Sequence, residues 1–264
     1  MNEARNIPHV FRLLPPDAEI ILVDGRSTDG TIDVARRLRP DTVVVCQTRK
    51  GKGNALACGF AAATGDIIVM LDADGSADPA EIEKFVQVLV DGGDFAKGSR
   101  FAKSGGSSDI TRLRRAGNHA LSSLVNVLLG HHFTDLCYGY NAFWSYCLPA
   151  LDLHPGVHGG QARWGDGFEV ETLINIRAAR CGLRIVEVPS YEHPRLHGVS
   201  NLSAASDGLR VLRTILVEAV RPVAPGRHRV TVLKQQATRR RLAMVRRSEE
   251  PGAPANMSVG KQAS

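Results

Sequence analysis

Asp72-Ala73-Asp74 sets two carboxylates one residue apart, directly after the apolar run Asp66–Leu71. Two such groups on one turn can share a hard divalent cation, which takes oxygen ligands and in turn holds a diphosphate. Isolated Asp pairs also serve as turn and cap residues, so the pair counts for little alone. Its company strengthens it. Asp24-Gly25-Arg26-Ser27-Thr28-Asp29-Gly30-Thr31 follows a second apolar run, and Lys50-Gly51-Lys52-Gly53-Asn54 leads into an alanine-rich stretch. Asp166, Glu169 and Glu171 cluster where a helix is expected to begin. Asp166 is the candidate general base if a hydroxyl attacks; a phosphate monoester, already ionised with a second pKa of about 6, needs none. Helix-start acids also complement the helix dipole, so the nature of the nucleophile stays open.

These residues need a scaffold, and the chain alternates short β-rich runs with amphipathic segments. Strands are expected at Glu19–Val23, Thr42–Cys46, Asp66–Leu71, Asp94–Lys97 and Arg184–Val188. Helices are expected at Thr31–Leu38, Gly53–Ala63, Pro79–Val90, Arg112–Leu129, Gly167–Cys181 and Asp207–Val220. Apolar strands alternating with helices predict an α/β fold, a mostly parallel sheet with helices on both faces. Ligands of such sheets bind at the carboxyl ends of the strands, where Asp24 and Asp72 fall. Phe143 and Trp144 read as core, and His131-His132 as a helix end. His193 and His197 flank Pro194, which disfavours the helix that a zinc pair at this spacing needs.

Taken together, Asn2-Glu3, VDGRSTDGT at 23–31, GKGNAL at 51–56, LDADGSADP at 71–79 and GSRF at 98–101 resemble the family-2 glycosyltransferases of the GT-A fold. GDGFEVET at 165–172, EVP at 187–189 and RLHGVSNL at 195–202 look most like the dolichyl- and polyprenyl-phosphate mannosyl- and glucosyltransferases. The likeness covers about residues 2–220. It implies a nucleotide-diphosphate-sugar donor, a lipid-phosphate acceptor, a Mg²⁺ or Mn²⁺ ion and inversion at the anomeric carbon. Carried over residue by residue, Asp24, with Ser27 and Asp29 in its loop, would bind the nucleotide. Lys52 would approach it, and Asp72 and Asp74 would hold metal and diphosphate. Arg100 and Arg114 or Arg115 would face the phosphates, and Arg195 would lie in a loop that closes on them. Asp166, Arg100 and Arg195 are thus the expected catalytic set.

The sequence also departs from the family. Ser200-Asn201-Leu202 stands where relatives usually read Ser-Lys-Leu. The family opens with a strand before its Asn-Glu turn, whereas Met1 here sits at that turn. The expectation is a GT-A domain over residues 1–206 lacking its first strand, with Met1 an internal codon of a longer protein. The alternatives are the same donor chemistry on a sugar hydroxyl, or a truncated, inactive nucleotide-binding scaffold.

Of 264 residues, 43% are hydrophobic and 23% charged, enough for a full core, which excludes global disorder. No apolar run is long enough to span a membrane, and charges and prolines within residues 1–18 leave no visible signal peptide. Five scattered cysteines without a CxxC pair read as reduced thiols in the cytosol. The net charge of +6 is uneven: Arg221–Arg247 holds nine Lys/Arg and no acid, so the remainder has 24 basic against 27 acidic side chains. An amphipathic helix at 207–221 followed by a basic, largely disordered tail at 222–264 suggests reversible binding to an anionic membrane surface, on the cytoplasmic face. The tail lacks interleaved aromatics, so no nucleic-acid partner is expected.

Overall fold

The computed structural model describes residues 1–198, 204–222 and 230–238. Helix α1 (Ile7–Leu13) carries Pro8 in its first turn, where the missing N–H costs no helical bond. Strand β1 (Ile21–Asp24), helix α2 (Thr31–Leu38) and strand β2 (Val43–Cys46) form a β-α-β unit, β2 lying parallel to β1 in the register Ile21↔Val43 to Asp24↔Cys46. Helix α3 (Lys52–Ala62) leads to β3 (Ile67–Met70). A 3₁₀ turn, Pro79–Glu81, capped by the Asp78 carboxylate, opens α4 (Ile82–Val90). Then follow β4 (Phe95–Ser99), β5 (Gly106–Ser107), α5 (Arg112–Leu129), β6 (Asn141–Trp144), α6 (Leu148–Leu151), α7 (Val170–Arg180), β7 (Ile185–Pro189), β8 (Tyr191–Glu192) and α8 (Ala204–Val220).

The strands do not form one mostly parallel sheet. β1 and β2 pair with each other, β3-β6-β4-β7 form a second sheet, and β5-β8 a small third one. β6, absent from the sequence reading, runs antiparallel to both β3 and β4. Its four residues are all buried, and Phe143 stacks on Phe95 at 5.2 Å, so the expected core pair is here the middle of the sheet. β1 and β3 do not pair. Each keeps one edge without a strand partner among the described residues, and Leu22, Val23, Ile67 and Val69 stay only half-buried. Helix α1, also unforeseen, spans the gap from the side: Ile7, Val10 and Phe11 cluster with Leu22 of β1 and with Leu71 and Ala73 beside Asp72.

The C-terminal expectations need two corrections. Helix α8 is no separate element, since it packs on α5 and α7 through Val211, Thr214, Ile215 and Glu218. Residues 230–238, expected to be disordered, form a helix whose Val230 is buried and whose Lys234 reaches Asp94 at 2.7 Å. The rest of the tail expectation, at 223–229 and 239–264, and the Ser200-Asn201-Leu202 departure lie outside the described residues. Among the described residues no helix is long and apolar enough to cross a membrane, and all five cysteines are free.

Candidate active site

Strand ends deliver the acidic groups, as the sheet rule anticipates. Asp24 closes β1, and Asp72 follows β3 by two residues. The Asp24 side chain is buried: one oxygen accepts from Ser27 N at 2.8 Å, while Oδ1 has no hydrogen-bond partner among the described residues. An orphaned buried carboxylate oxygen is costly unless something donates to it. This fits the expectation that Asp24 meets a nucleotide N–H or O–H.

Ser27 and Asp29 do something else. Ser27 Oγ accepts from Asn2 N at 2.8 Å, and Asp29 accepts from Ala4 N at 3.0 Å and from Thr31. Burial would raise the Asp29 carboxyl, but the hydrogen bonds from Thr31 and Ala4 outweigh it and hold it below the usual range. Both side chains brace Asn2–Ala4 against the 24–31 loop.

Lys52, in the first turn of α3, donates to Asp72 at 2.7 Å and to Glu171 at 2.5 Å. Desolvation would lower the Lys52 ammonium, but the two carboxylates outweigh it and raise it. Desolvation would raise Asp72, yet Lys52, helped by Arg195, brings it below the ordinary carboxylate range. Glu171 goes the other way: burial lifts it, Lys52 offsets this only in part, and the Asp72 charge adds to the rise. Asp74 Oδ1 accepts from Ser76 N at 2.9 Å and Ser76 Oγ at 2.7 Å, while Oδ2 pairs with Arg195 at 2.9 Å. Arg195 also reaches Glu3 at 3.3 Å.

Among the described residues Glu3, Asp72, Asp74 and Glu171 form ion pairs with two cations, Lys52 and Arg195, while the Met1 amino group and Lys97 act on Asp72 and Glu171 without a direct ion pair. The hard oxygen donors of Asp72 and Asp74 suit a divalent ion. Among the described residues no third acid or histidine joins Asp72 and Asp74 in a ligand cluster. The remaining ligands would therefore come from the donor and from water.

Asp166 does not stand free as a base. Its oxygens accept from Arg49 Nε, Arg49 Nη2 and Arg163 N, each at 2.7 Å, and the Arg49 and Asp166 side chains are 3% and 8% exposed. Desolvation would raise its carboxyl, but Arg49 outweighs this and holds it below the usual range, which weakens it further as a proton acceptor. The pair is a strut. It locks the 165–167 turn onto the 49–53 loop, where Gly53 N donates to Asp166 O at 2.8 Å. A Cβ at Gly53 would lie 1.7 Å from the Gly165 carbonyl, so only glycine permits this approach. Lys52 sits between Gly53 and Gly51, whose Cβ would lie 2.0 Å from the Asp166 carbonyl, and this fixes its reach to Asp72.

Arg100 is also engaged. It donates to Asp135 at 2.7 and 3.0 Å and to Glu192 at 3.0 Å, and lies 4.9 Å from the Tyr138 ring. This ties the end of β4 to β8 rather than offering a free fork to phosphate. Arg115 is exposed over Phe101 at 5.5 Å, and Arg114 lies in the first turn of α5. Sequence reasoning passed over Arg49, Asp135 and Glu192, whose roles arise from pairings across 117, 35 and 92 residues that no local spacing signals. Glu171 stood in the noted acidic cluster, and its place in the first turn of α7 was the available clue.

Residues 2–146 match the family model described as Glycosyl transferase family 2. The chain belongs to that family. Among its relatives, glycosyltransferase AglJ of Haloferax volcanii is 31% identical over 215 residues, covering 78% of this chain and 65% of AglJ, just under two thirds of that protein's length. The undecaprenyl-phosphate mannosyltransferase of Micrococcus luteus is 32% identical over 221 residues, covering 80% of this chain and 88% of that one. A similar solved structure is glucosyl-3-phosphoglycerate synthase from Mycobacterium tuberculosis in complex with Mn²⁺, UDP-glucose and glycerol 3-phosphate. Its TM-score is 0.63 at 24% identity, over 84% of this chain and 78% of that one. This likeness shows the fold: the glycosyltransferase has the GT-A architecture, here with its sheet in two parts.

Proposed function

We propose that this glycosyltransferase moves a sugar from a nucleotide-diphosphate sugar to a polyprenyl phosphate, inverting the anomeric carbon, at the cytoplasmic face of a membrane. A phosphate oxygen of the acceptor forms the new bond to the anomeric carbon as the bond to the donor diphosphate breaks on the opposite face. The observation that carries the choice of acceptor is the Arg49–Asp166 strut. The expected base is consumed by structure, and an acceptor already ionised needs no base. The name of the Micrococcus relative agrees with such an acceptor. Asp24 would receive the nucleotide. Asp72 and Asp74 would hold Mg²⁺ or Mn²⁺, and that ion, once bound, would offset charge on the leaving diphosphate. The Mn²⁺ in the similar synthase structure supports a divalent ion without choosing between the two.

A second reading keeps the donor and uses a sugar hydroxyl. Glu171, whose raised carboxyl lies at the Lys52–Asp72 pair, would then be the base in place of Asp166. Supplying polyprenyl phosphate, the unphosphorylated polyprenol and a sugar hydroxyl acceptor in parallel separates the two. Transfer to the phosphate alone is the expected result, and transfer to either hydroxyl would favour the second reading.

The membrane part of the proposal rests on surfaces. Helix α8 docks by its Val211–Glu218 face, leaving Leu209, Leu216 and Val220 at 68%, 52% and 84% exposure. Helix α5, which packs against it, leaves Leu113 and Val127 outward, with Arg112 and Arg115 beside Leu113. An apolar stripe edged by cations suits an anionic lipid surface. Leu209→Glu with Leu216→Glu should abolish sedimentation with anionic vesicles; equal sedimentation of both forms would exclude this face.

A further inference from the structure

The cations that neutralise Asp72 and Asp74 differ in kind. Lys52 lies on α3, with its backbone clamped by the 165–167 turn, and takes only one oxygen of an Asp72 side chain that is 48% exposed. Arg195 lies on a segment laid over the aspartate turn itself. Leu196 N donates to Asp74 O at 3.1 Å, and His193 N donates to Ser76 O at 2.8 Å. The Leu196 side chain covers Gly75 so closely that a Cβ there would lie 2.5 Å from it. Asn6 Nδ2 donates to His197 O at 3.2 Å, and Glu3 holds the other side of the Arg195 fork. With Ser76 on one oxygen and Arg195 on the other, both oxygens of Asp74 are in use, while the half-exposed Asp72 is held by Lys52 on one oxygen.

We infer that Arg195 is a resident competitor of the divalent cation for Asp74. A cation meets Asp72 first and gains Asp74 only when Arg195 leaves, which unpins the 193–198 segment. Cation binding and opening of that segment are then one equilibrium, and each ligand's arrival is linked to the other's departure. Removing the arginine charge removes the competitor, so the cation should bind more tightly in its absence. This rests on the proposed metal role of Asp72 and Asp74, and the test separates the two.

Mn²⁺ binding to the full chain, without nucleotide and again with UDP, is measured by electron paramagnetic resonance on the wild type, Arg195→Gln, Arg195→Lys, Glu3→Gln and Asp72→Asn. Hydrogen exchange at residues 193–198 is followed in the same samples. Arg195→Gln should tighten Mn²⁺ binding about fivefold, the change that matches losing one partly exposed ion pair. Arg195→Lys should stay near wild type. Glu3→Gln, which loosens Arg195 while leaving it in place, should tighten binding by a smaller factor. Mn²⁺ should speed exchange at Leu196 in the wild type. Unchanged or weaker Mn²⁺ binding in Arg195→Gln, with binding still lost in Asp72→Asn, would overturn the competition and leave the metal site standing. Absence of binding in every form, or binding that survives Asp72→Asn, would overturn the metal role and the competition with it.

Discussion

Replacing Asp166 by Asn separates a base from a strut. The carboxylate accepts three hydrogen bonds at 2.7 Å, two of them from a guanidinium that is 3% exposed. An amide must turn an NH₂ group toward either that fork or Arg163 N, so Arg49 keeps its buried charge and loses its counter-ion. Breaking one side of such a pair costs about 3 kcal/mol. At roughly 2–4 °C per kcal/mol for a chain near this size, the unfolding midpoint should fall by about 6–12 °C. Arg49→Met should lower it similarly, and the double variant should cost little more than either single one, because the interaction is lost only once. Calorimetry on the four proteins at pH 7 measures this, and transfer assays at a temperature where all are folded give the rates. Activity should fall alike in Asp166→Asn and Arg49→Met, since both loosen the loop that holds Lys52. An unchanged midpoint in Asp166→Asn with a rate loss above about a hundredfold, and normal rates in Arg49→Met, would refute the strut and restore the base.

Two further outcomes follow from the same structure. Arg49 lowers the Asp166 carboxyl and Arg100 the Asp135 carboxyl, in both cases overcoming the desolvation that would raise them. Groups whose folded values are depressed contribute stability that is present above their unfolded value of about 3.9 and lost as pH falls through the folded one. Denaturant midpoints should therefore decline from about pH 4 downward, with a shallower decline in Asp166→Asn. Glu171 has the opposite sign: its carboxyl is raised by burial, so its ionisation subtracts stability as pH rises through its folded value. Glu218 on α8 is 2% exposed and accepts from Arg177, Trp164 Nε1 and Arg221. Its replacement by Ala should cost about 3 kcal/mol by stranding Arg177, and hydrogen exchange should show α8 losing protection before the sheets do. Retained protection of α8 would mean that the apolar contacts of Val211 and Ile215 suffice.

What the sequence made legible was whatever is local. Apolar runs bounded by Gly, Asp and Pro located β1, β2, β3, β4 and β7 within two or three residues, and strand-end logic put Asp24 and Asp72 where the structure has them. The all-buried β6 escaped because three apolar residues behind Asn141 carry no alternation, and direction within a sheet is set by distant partners. The site divides the same way. Asp72 and Lys52 were visible as motifs. That Lys52 bridges Asp72 to Glu171, and that Asp166 and Arg100 are spent on Arg49, Asp135 and Glu192, depends on tertiary pairing. An acid at a helix start looks the same in sequence whether it abstracts a proton or holds a loop. Helix α8 shows a related limit: its apolar periodicity suggested one stripe turned to lipid, whereas Val211 and Ile215 face the body with Thr214 and Glu218, and Leu209, Leu216 and Val220 face outward.

The central claim is a cation-dependent sugar transfer to a lipid phosphate, organised by Asp72 and Asp74. The direct measurement is the initial rate of labelled-sugar transfer from a panel of nucleotide-diphosphate sugars to polyprenyl phosphate in anionic vesicles. It is made with Mn²⁺, with Mg²⁺ and with chelator, for the wild type, Asp72→Asn and Asp74→Asn. The account predicts a lipid-linked sugar phosphate formed only with a divalent cation, and a loss of at least about a hundredfold in either variant while both remain folded. Transfer that persists under chelator, or at wild-type rates in both variants, would contradict it.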